Sequence, residues 1–218
     1  KKDGVKVARG VARGVKIMPV QVITGKSDAF LSEAAEGIKY AVDNGAQILS
    51  NSWRLYESWS QFKPTEANLA LLREAIRYAG DKKVIFVGAA GNERGNIDLH
   101  TNTIYPLGFE GLWNMIGVAA SEHQDFVASF SNYGINNVHV AAPGDKIFST
   151  FPKEKWSNNS GTSMAAPLVA GVLALGLQAG YTAEEAKQKL IFTSDNFDAW
   201  KGKNTAEGIV NIPHFLGM

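Results

Sequence analysis

The chain has 218 residues with 22 Lys+Arg against 21 Asp+Glu, a net charge of +1, so there is no electrostatic case for a nucleic-acid partner or an anionic membrane surface. At roughly 100–200 residues per domain, this length suggests one large domain over residues 1–218 or, less readily, two small ones, and 45% hydrophobic residues suffice for a real core. The lack of cysteine excludes disulfide scaffolds, thiolate zinc sites and cysteine nucleophiles, and leaves the redox compartment open.

No apolar run approaches the ~18 residues that span a bilayer. The opening Lys1-Lys2-Asp3-Gly4 lacks the apolar stretch and cleavage site of a signal peptide, so the expectation is a soluble domain without a membrane span. In chain order, Val15–Ile23 reads as a buried strand. Ser27 or Asp28 can cap a helix that carries Leu31, Ala34, Ala35, Ile38, Ala41 and Val42 on one face and stops at Asn44-Gly45. Gln47–Asn51 is a second strand. Pro64-Thr65 opens a second helix, with Leu69, Leu72, Ile76 and Ala79 at three- and four-residue steps and Gly80 at its end. Val84–Ala90 is a third strand, continuously apolar as strands covered on both faces are. Met115–Ala120 reads as an interior strand and Val138–Ala142 as a shorter one ended by Pro143-Gly144. A small-residue helix runs from Ser163 to about Gln178, and the capping box Thr182/Glu185 opens another to about Phe192. Strands alternating with helices predict an α/β fold, a mostly parallel sheet with helices on both faces.

Two stretches carry chemistry. Gly161-Thr162-Ser163-Met164-Ala165-Ala166-Pro167 surrounds a serine with small residues at a helix start, where free N–H groups and a partial positive charge lie beside its hydroxyl. Pro167 is expected within about the first turn, where its missing N–H costs little. Alone, Ser163 or Thr162 reads more readily as a helix cap than as a nucleophile. Val87–Asn92 ends a buried strand in small residues and an amide. Ligands of open α/β sheets bind at such carboxyl ends, and an amide there can donate to a developing oxyanion. Alone, Gly91-Asn92 reads as a turn.

Together, Gly161–Ala165 with Pro167 and Val169-Ala170-Gly171 behind it, preceded by Ala89-Ala90-Gly91-Asn92, closely resemble the subtilisin-like serine proteases, the subtilases. The resemblance continues in family order through Gly10-Val11-Ala12, Lys16–Val20, Ala41–Ala46 with Ile48–Trp53, Tyr105-Pro106, Ile116–Ala120, Ala128–Gly134, Ala142-Pro143-Gly144 and Gly208–Asn211. It implies that Ser163 is the nucleophile, and that Asn92 Nδ2 and the N–H of Ser163 hold the oxyanion. Losing that asparagine costs about 2.7–4 kcal/mol of transition-state stabilisation in subtilisin itself. Ser52-Trp53-Arg54 and Ala89-Ala90-Gly91 would line the backbone and first side-chain pocket of an extended peptide or protein substrate, paired by main-chain hydrogen bonds.

A serine hydroxyl needs a base and the base an orienting partner, in the family's order Asp, His, Ser. Neither the family's Asp-[Ser/Thr]-Gly turn nor its His-Gly-Thr-His helix start occurs, and His100, His123, His139 and His214 stand in other contexts. The resemblance thus implies the C-terminal part of a subtilase domain, lacking the N-terminal Asp strand and His helix. A separate or upstream N-terminal fragment would carry that Asp and His. The alternative is a catalytically silent subtilase-like domain serving as a binding or structural module. Arg54 stands where the family usually has glycine, and so narrows the cleft, reads an acidic substrate residue, or points to solvent. Leu168 and Arg13 are lesser departures. Lys1–Arg9 is too short and basic for the family's calcium loop, so no calcium, other metal or cofactor is carried over. Secretion or another extracytoplasmic location is the family's default. Asn158-Asn159-Ser160 matches a glycosylation sequon, but its place beside Ser163 argues against a glycan. Trp53, Tyr56, Trp59 and Phe62 read as packing beneath a loop rather than as a docking rim.

Overall fold

The computed structural model describes residues 8–23, 30–56 and 64–218. Ser27, Asp28, Trp59, Phe62 and the first seven residues lie outside them. The first helix, α1 (Phe30–Asp43), buries Leu31, Ala34, Ala35, Ile38, Ala41 and Val42, the stripe expected from the sequence. It stops at Gly45, whose φ of +86° suits glycine and lets its N–H reach the Val42 carbonyl at 3.1 Å. After β1 (Ile48–Asn51) and the short β2 (Leu55–Tyr56) comes α2 (Glu66–Asp81), capped by Thr65, whose side chain accepts from the N–H of Asn68. Then follow β3 (Ile85–Ala89), β4 (Ile104–Tyr105), β5 (Met115–Ser121) and β6 (Val140–Pro143). The chain continues with β7 (Ile147–Phe151), β8 (Lys155–Asn159), α3 (Thr162–Gln178) and α4 (Ala183–Phe192). It ends with β9 (Asp195–Asn196), β10 (Gly208–Ile209) and α5 (Ile212–Leu216).

The central sheet runs β1-β3-β5-β6-β10-β9, parallel at every pairing except β10 with β9. Alternation along the strands divides the core in two. Leu49, Phe86, Met115, Ala119 and Ala141 face α1 and α2, whereas Ile85, Val87, Ile116, Val118 and Val140 face α3 and α4. Both faces are therefore dry, which is why β3 and β5 are apolar at nearly every position rather than at alternate ones. The α/β fold with helices on both faces is as expected.

The strand expected at Val15–Ile23 does not form: 8–23 contains no helix or strand. A strand needs a ladder, and the described residues offer this run none. Its inner residues instead pack as side chains, Val20 and Val22 against α1 at Gly37. Val15, Ile17, Met18 and Ile23 remain exposed, Ile17 by 82%. The hairpin β7–β8 was not anticipated, because it is exposed on most positions and lacks an apolar alternation. It turns through the three residues Pro152-Lys153-Glu154, the last two at positive φ, and is braced by Phe148 stacked on Trp156 at 5.6 Å.

Candidate active site

The carboxyl ends of β1 and β3 and the amino end of α3 meet at one place. Ser163 is the second residue of α3, after Thr162. Fully buried Thr162 ties the helix to the end of β3. Its hydroxyl accepts from the N–H of Gly91 at 2.9 Å and donates to Asn92 Oδ1 at 3.1 Å, and its own N–H donates to that same oxygen at 2.9 Å. A backbone N–H needs an acceptor, so the Asn92 amide must turn its oxygen to Thr162 and its NH2 group away. Asn92 Nδ2 lies 3.4 Å from where a β-carbon on Gly161 would sit. Neither that NH2 group nor the N–H of Ser163 donates to any described residue. Two unspent donors thus stand at the start of the helix carrying Ser163, where the helix dipole adds to their pull on negative charge.

Asn132 anchors the loop that holds Asn92. It is 1% exposed; its Oδ1 accepts from the N–H groups of Glu93 and Gly95 at 3.0 and 2.9 Å, and its Nδ2 donates to the Ala90 carbonyl and Glu93 Oε2, both at 2.8 Å. It fell within a stretch that resembles the family, but nothing in the sequence pointed to this role, because its partners lie about forty positions earlier in the chain.

Ser52 and Ser163 clasp each other. Ser52 Oγ donates to the Ser163 carbonyl at 3.0 Å, and Ser163 Oγ donates to the Ser52 carbonyl at 3.3 Å. Pro167 makes the first bond available. It lies inside α3, not within its first turn as expected, and there it supplies no N–H to the carbonyl four residues back, which is that of Ser163.

The two expected walls differ in what they present. Trp53 turns its indole inward, edge-on to Phe30 at 5.1 Å and to Phe86 at 6.3 Å, as packing beneath a loop requires. Ala89 and Ala90 are buried, and the N–H groups of Ala90 and Gly91 are spent on the Val118 carbonyl and on Thr162. The β3 side therefore offers a backbone surface but no main-chain N–H from those two residues. Arg54 does not point to solvent; it forms an ion pair with Glu93, its side chain 22% exposed.

None of the four histidines hydrogen-bonds Ser163. His139 is half-buried beside β6, with Nδ1 accepting from the N–H of Gly117 at 3.0 Å. Burial, aided by the Lys187 ammonium, pushes its pKa down to about 3. Lys187 donates to the carbonyls of Trp113 and Met115 at 2.7 and 2.8 Å, and burial lowers it to about 8. His214 faces Asp195 at 3.1 Å on the opposite edge of the sheet, and His100 and His123 sit exposed in short turns.

Among the described residues no helix is long and apolar enough to cross a membrane. The model of the subtilase family matches residues 1–212. The chain is 36% identical over 202 residues to thermitase of Thermoactinomyces vulgaris, covering 93% of this chain and 65% of that protein. It is 34% identical to a thermophilic serine proteinase of Bacillus sp. (strain AK1), covering 85% of this chain but 42% of the relative. The chain thus spans less than two thirds of the length of either relative. The crystal structure of a lanthipeptide protease superposes with a TM-score of 0.79 at 22% identity, over 95% of this chain and 72% of that one, which speaks for the fold. The chain belongs to the subtilase family of serine proteases.

Proposed function

We propose that this chain is the serine-bearing part of an endopeptidase that cleaves peptide bonds through an acyl-enzyme on Ser163. The observation that carries this reading is the orientation of Asn92. With its oxygen held by Thr162, its NH2 group is left at the amino end of the helix that bears Ser163, alongside the N–H of that serine. Attack by Ser163 Oγ on a peptide carbonyl generates an oxyanion, which accepts from Asn92 Nδ2 and the Ser163 N–H in a site where both donors are already in place. The substrate is an extended peptide or protein segment, laid along Ser52-Trp53-Arg54 on one side and Ala89-Ala90-Gly91 on the other.

The base and its orienting carboxylate come from outside residues 1–218, on an upstream segment or a separate chain. Ser163 Oγ donates to a carbonyl, which cannot take its proton, and none of the four histidines hydrogen-bonds it. Three further features favour such a partner. β1 is an edge strand among the described residues, Asn51 Nδ2 at its end is buried without an acceptor, and Val15, Ile17, Met18 and Ile23 stand exposed. By the default of the family, the protein is proposed to act outside the cytoplasm.

The test is labelling with a fluorophosphonate probe in the full-length chain, with any upstream segment present. Labelling at Ser163 that disappears in Ser163→Ala is expected. Failure to label a folded full-length protein would overturn the peptidase and leave a silent binding module. Residues 1–218 alone are expected to show no peptidase turnover; turnover by that chain, abolished by Ser163→Ala, would refute the external base.

A further inference from the structure

We propose that Arg54 and Glu93 form a bar across the groove beside Ser163, so that the substrate residue contributing the scissile carbonyl must carry a small side chain such as that of glycine or alanine. This rests on the peptidase reading above. β1 and β3 pair as far as Asn51 opposite Gly88, and beyond that ladder two chains run on, 52–54 and 90–92. Each touches the amino end of α3, one through Ser52 and the other through Asn92. A carbonyl bracketed by Ser163 Oγ and Asn92 Nδ2 sits at the mouth of the gap between those chains. The side chain on the same residue enters that gap.

Arg54 already occupies it. A β-carbon built on Gly91 would lie 2.9 Å from Arg54 Cδ, 2.7 Å from Glu93 Oε2 and 2.5 Å from Asn132 Nδ2. The stem of Arg54 therefore reaches from the β1 side onto the α-carbon of Gly91 on the β3 side, where Gly91, at φ +95°, has no side chain to resist it. At its tip Arg54 Nη2 pairs with Glu93 Oε1. The carboxylate is held from behind as well: Oε2 accepts from the N–H of Asn92 and from Asn132 Nδ2, both at 2.8 Å. Asn132 is itself buried and fixed by the loop it organises. The acidic end of the bar cannot swing away without breaking those contacts, and the basic end is drawn to it by charge. A bulky side chain must break the ion pair or displace the arginine stem, whereas a methyl group need do neither.

The experiment uses the full-length protein and a series of peptide nitroanilides that differ only in the residue before the scissile bond. Wild type is expected to favour alanine over phenylalanine or leucine in kcat/KM. Arg54→Gly is expected to raise the phenylalanine-to-alanine ratio about tenfold or more, within the range that pocket volume commands. Glu93→Gln keeps the shape but removes the charge, so it should raise the ratio less, and added salt should raise it in wild type but not in Arg54→Gly. A ratio unmoved by Arg54→Gly and Glu93→Gln in an enzyme that is active and labelled at Ser163 overturns the bar and leaves the peptidase intact. So does a wild-type preference for aspartate or glutamate lost in Arg54→Gly, which would make Arg54 a reader of acidic side chains. Absence of labelling and of turnover in every form overturns the peptidase reading and the bar with it.

Discussion

Ser52 and Ser163 exchange hydrogen bonds, each hydroxyl donating to the other's backbone carbonyl, although 111 positions separate them in the chain. The exchange binds the end of β1 to the start of α3. It also points the Ser163 proton at an oxygen that cannot take it, so the proposed external imidazole would have to outbid only one hydrogen bond of 3.3 Å.

Ser52→Ala strands the Ser163 carbonyl, because Pro167 cannot replace the lost donor. A loss of about 1 kcal/mol in folding stability is expected by denaturant titration. In a Pro167→Ala background the helix supplies its own N–H to that carbonyl, so the same Ser52→Ala change should cost much less. The pair should therefore be non-additive in a double-mutant cycle.

Asn92→Leu removes a donor that the proposed mechanism uses only as charge develops. In the full-length enzyme kcat should fall about 10²–10³-fold with little change in KM. Thr162→Val keeps the shape but leaves the Gly91 N–H without its acceptor and removes one of the two donors to Asn92 Oδ1, the backbone N–H of residue 162 remaining as the other. It should cost about 1–3 kcal/mol of stability and lower kcat as well. Equal rates in Thr162→Val and wild type would show that the Thr162 hydroxyl is not needed to position Asn92.

Asn132→Ala would orphan the N–H groups of Glu93 and Gly95 together. With two partly buried donors left unsatisfied at about 1 kcal/mol or more each, this change should be clearly destabilising. Hydrogen exchange at Glu93 and Gly95 should rise with it, while exchange in α1 changes only as far as global stability does.

His139 sets a dependence on acid. Its folded pKa of about 3 lies below the ordinary 6.5, so above pH 6.5 neither the folded nor the unfolded ring carries a proton. Below 6.5 the unfolded chain takes up a proton that the folded ring refuses, and stability falls as pH drops toward 3. The slope should approach about 1.4 kcal/mol per pH unit below about pH 6. His139→Asn, which keeps an acceptor for the Gly117 N–H, should flatten it between about pH 5 and 6.5. A ring that titrates near pH 6.5 by NMR in the folded chain would contradict the assignment.

Much of the fold was legible because local and global preferences agree. The stripe of α1 could be read residue by residue, since a 3.6-residue period admits one buried face. The apolar runs of β3 and β5 announced a sheet covered on both sides. Val15–Ile23 misled for the same reason: apolar β-branched residues state a preference for a ladder, but not whether a partner strand is there to form one. The hairpin β7–β8 was invisible to periodicity because it buries little.

At the candidate site, the order of residues pointed to the two types that the proposal uses: a serine at a helix start, and an amide at the end of a buried strand. Local spacing carries that information, because helix caps and strand ends are built from neighbours. Which way the Asn92 amide faces, which hydroxyl meets the carbonyl that Pro167 leaves open, and where Arg54 lies were decided only by the tertiary structure. Each depends on a partner 39 to 111 positions away. Hydrogen bonds and ion pairs between such partners are set by how the elements dock, a relation that no short stretch of chain encodes.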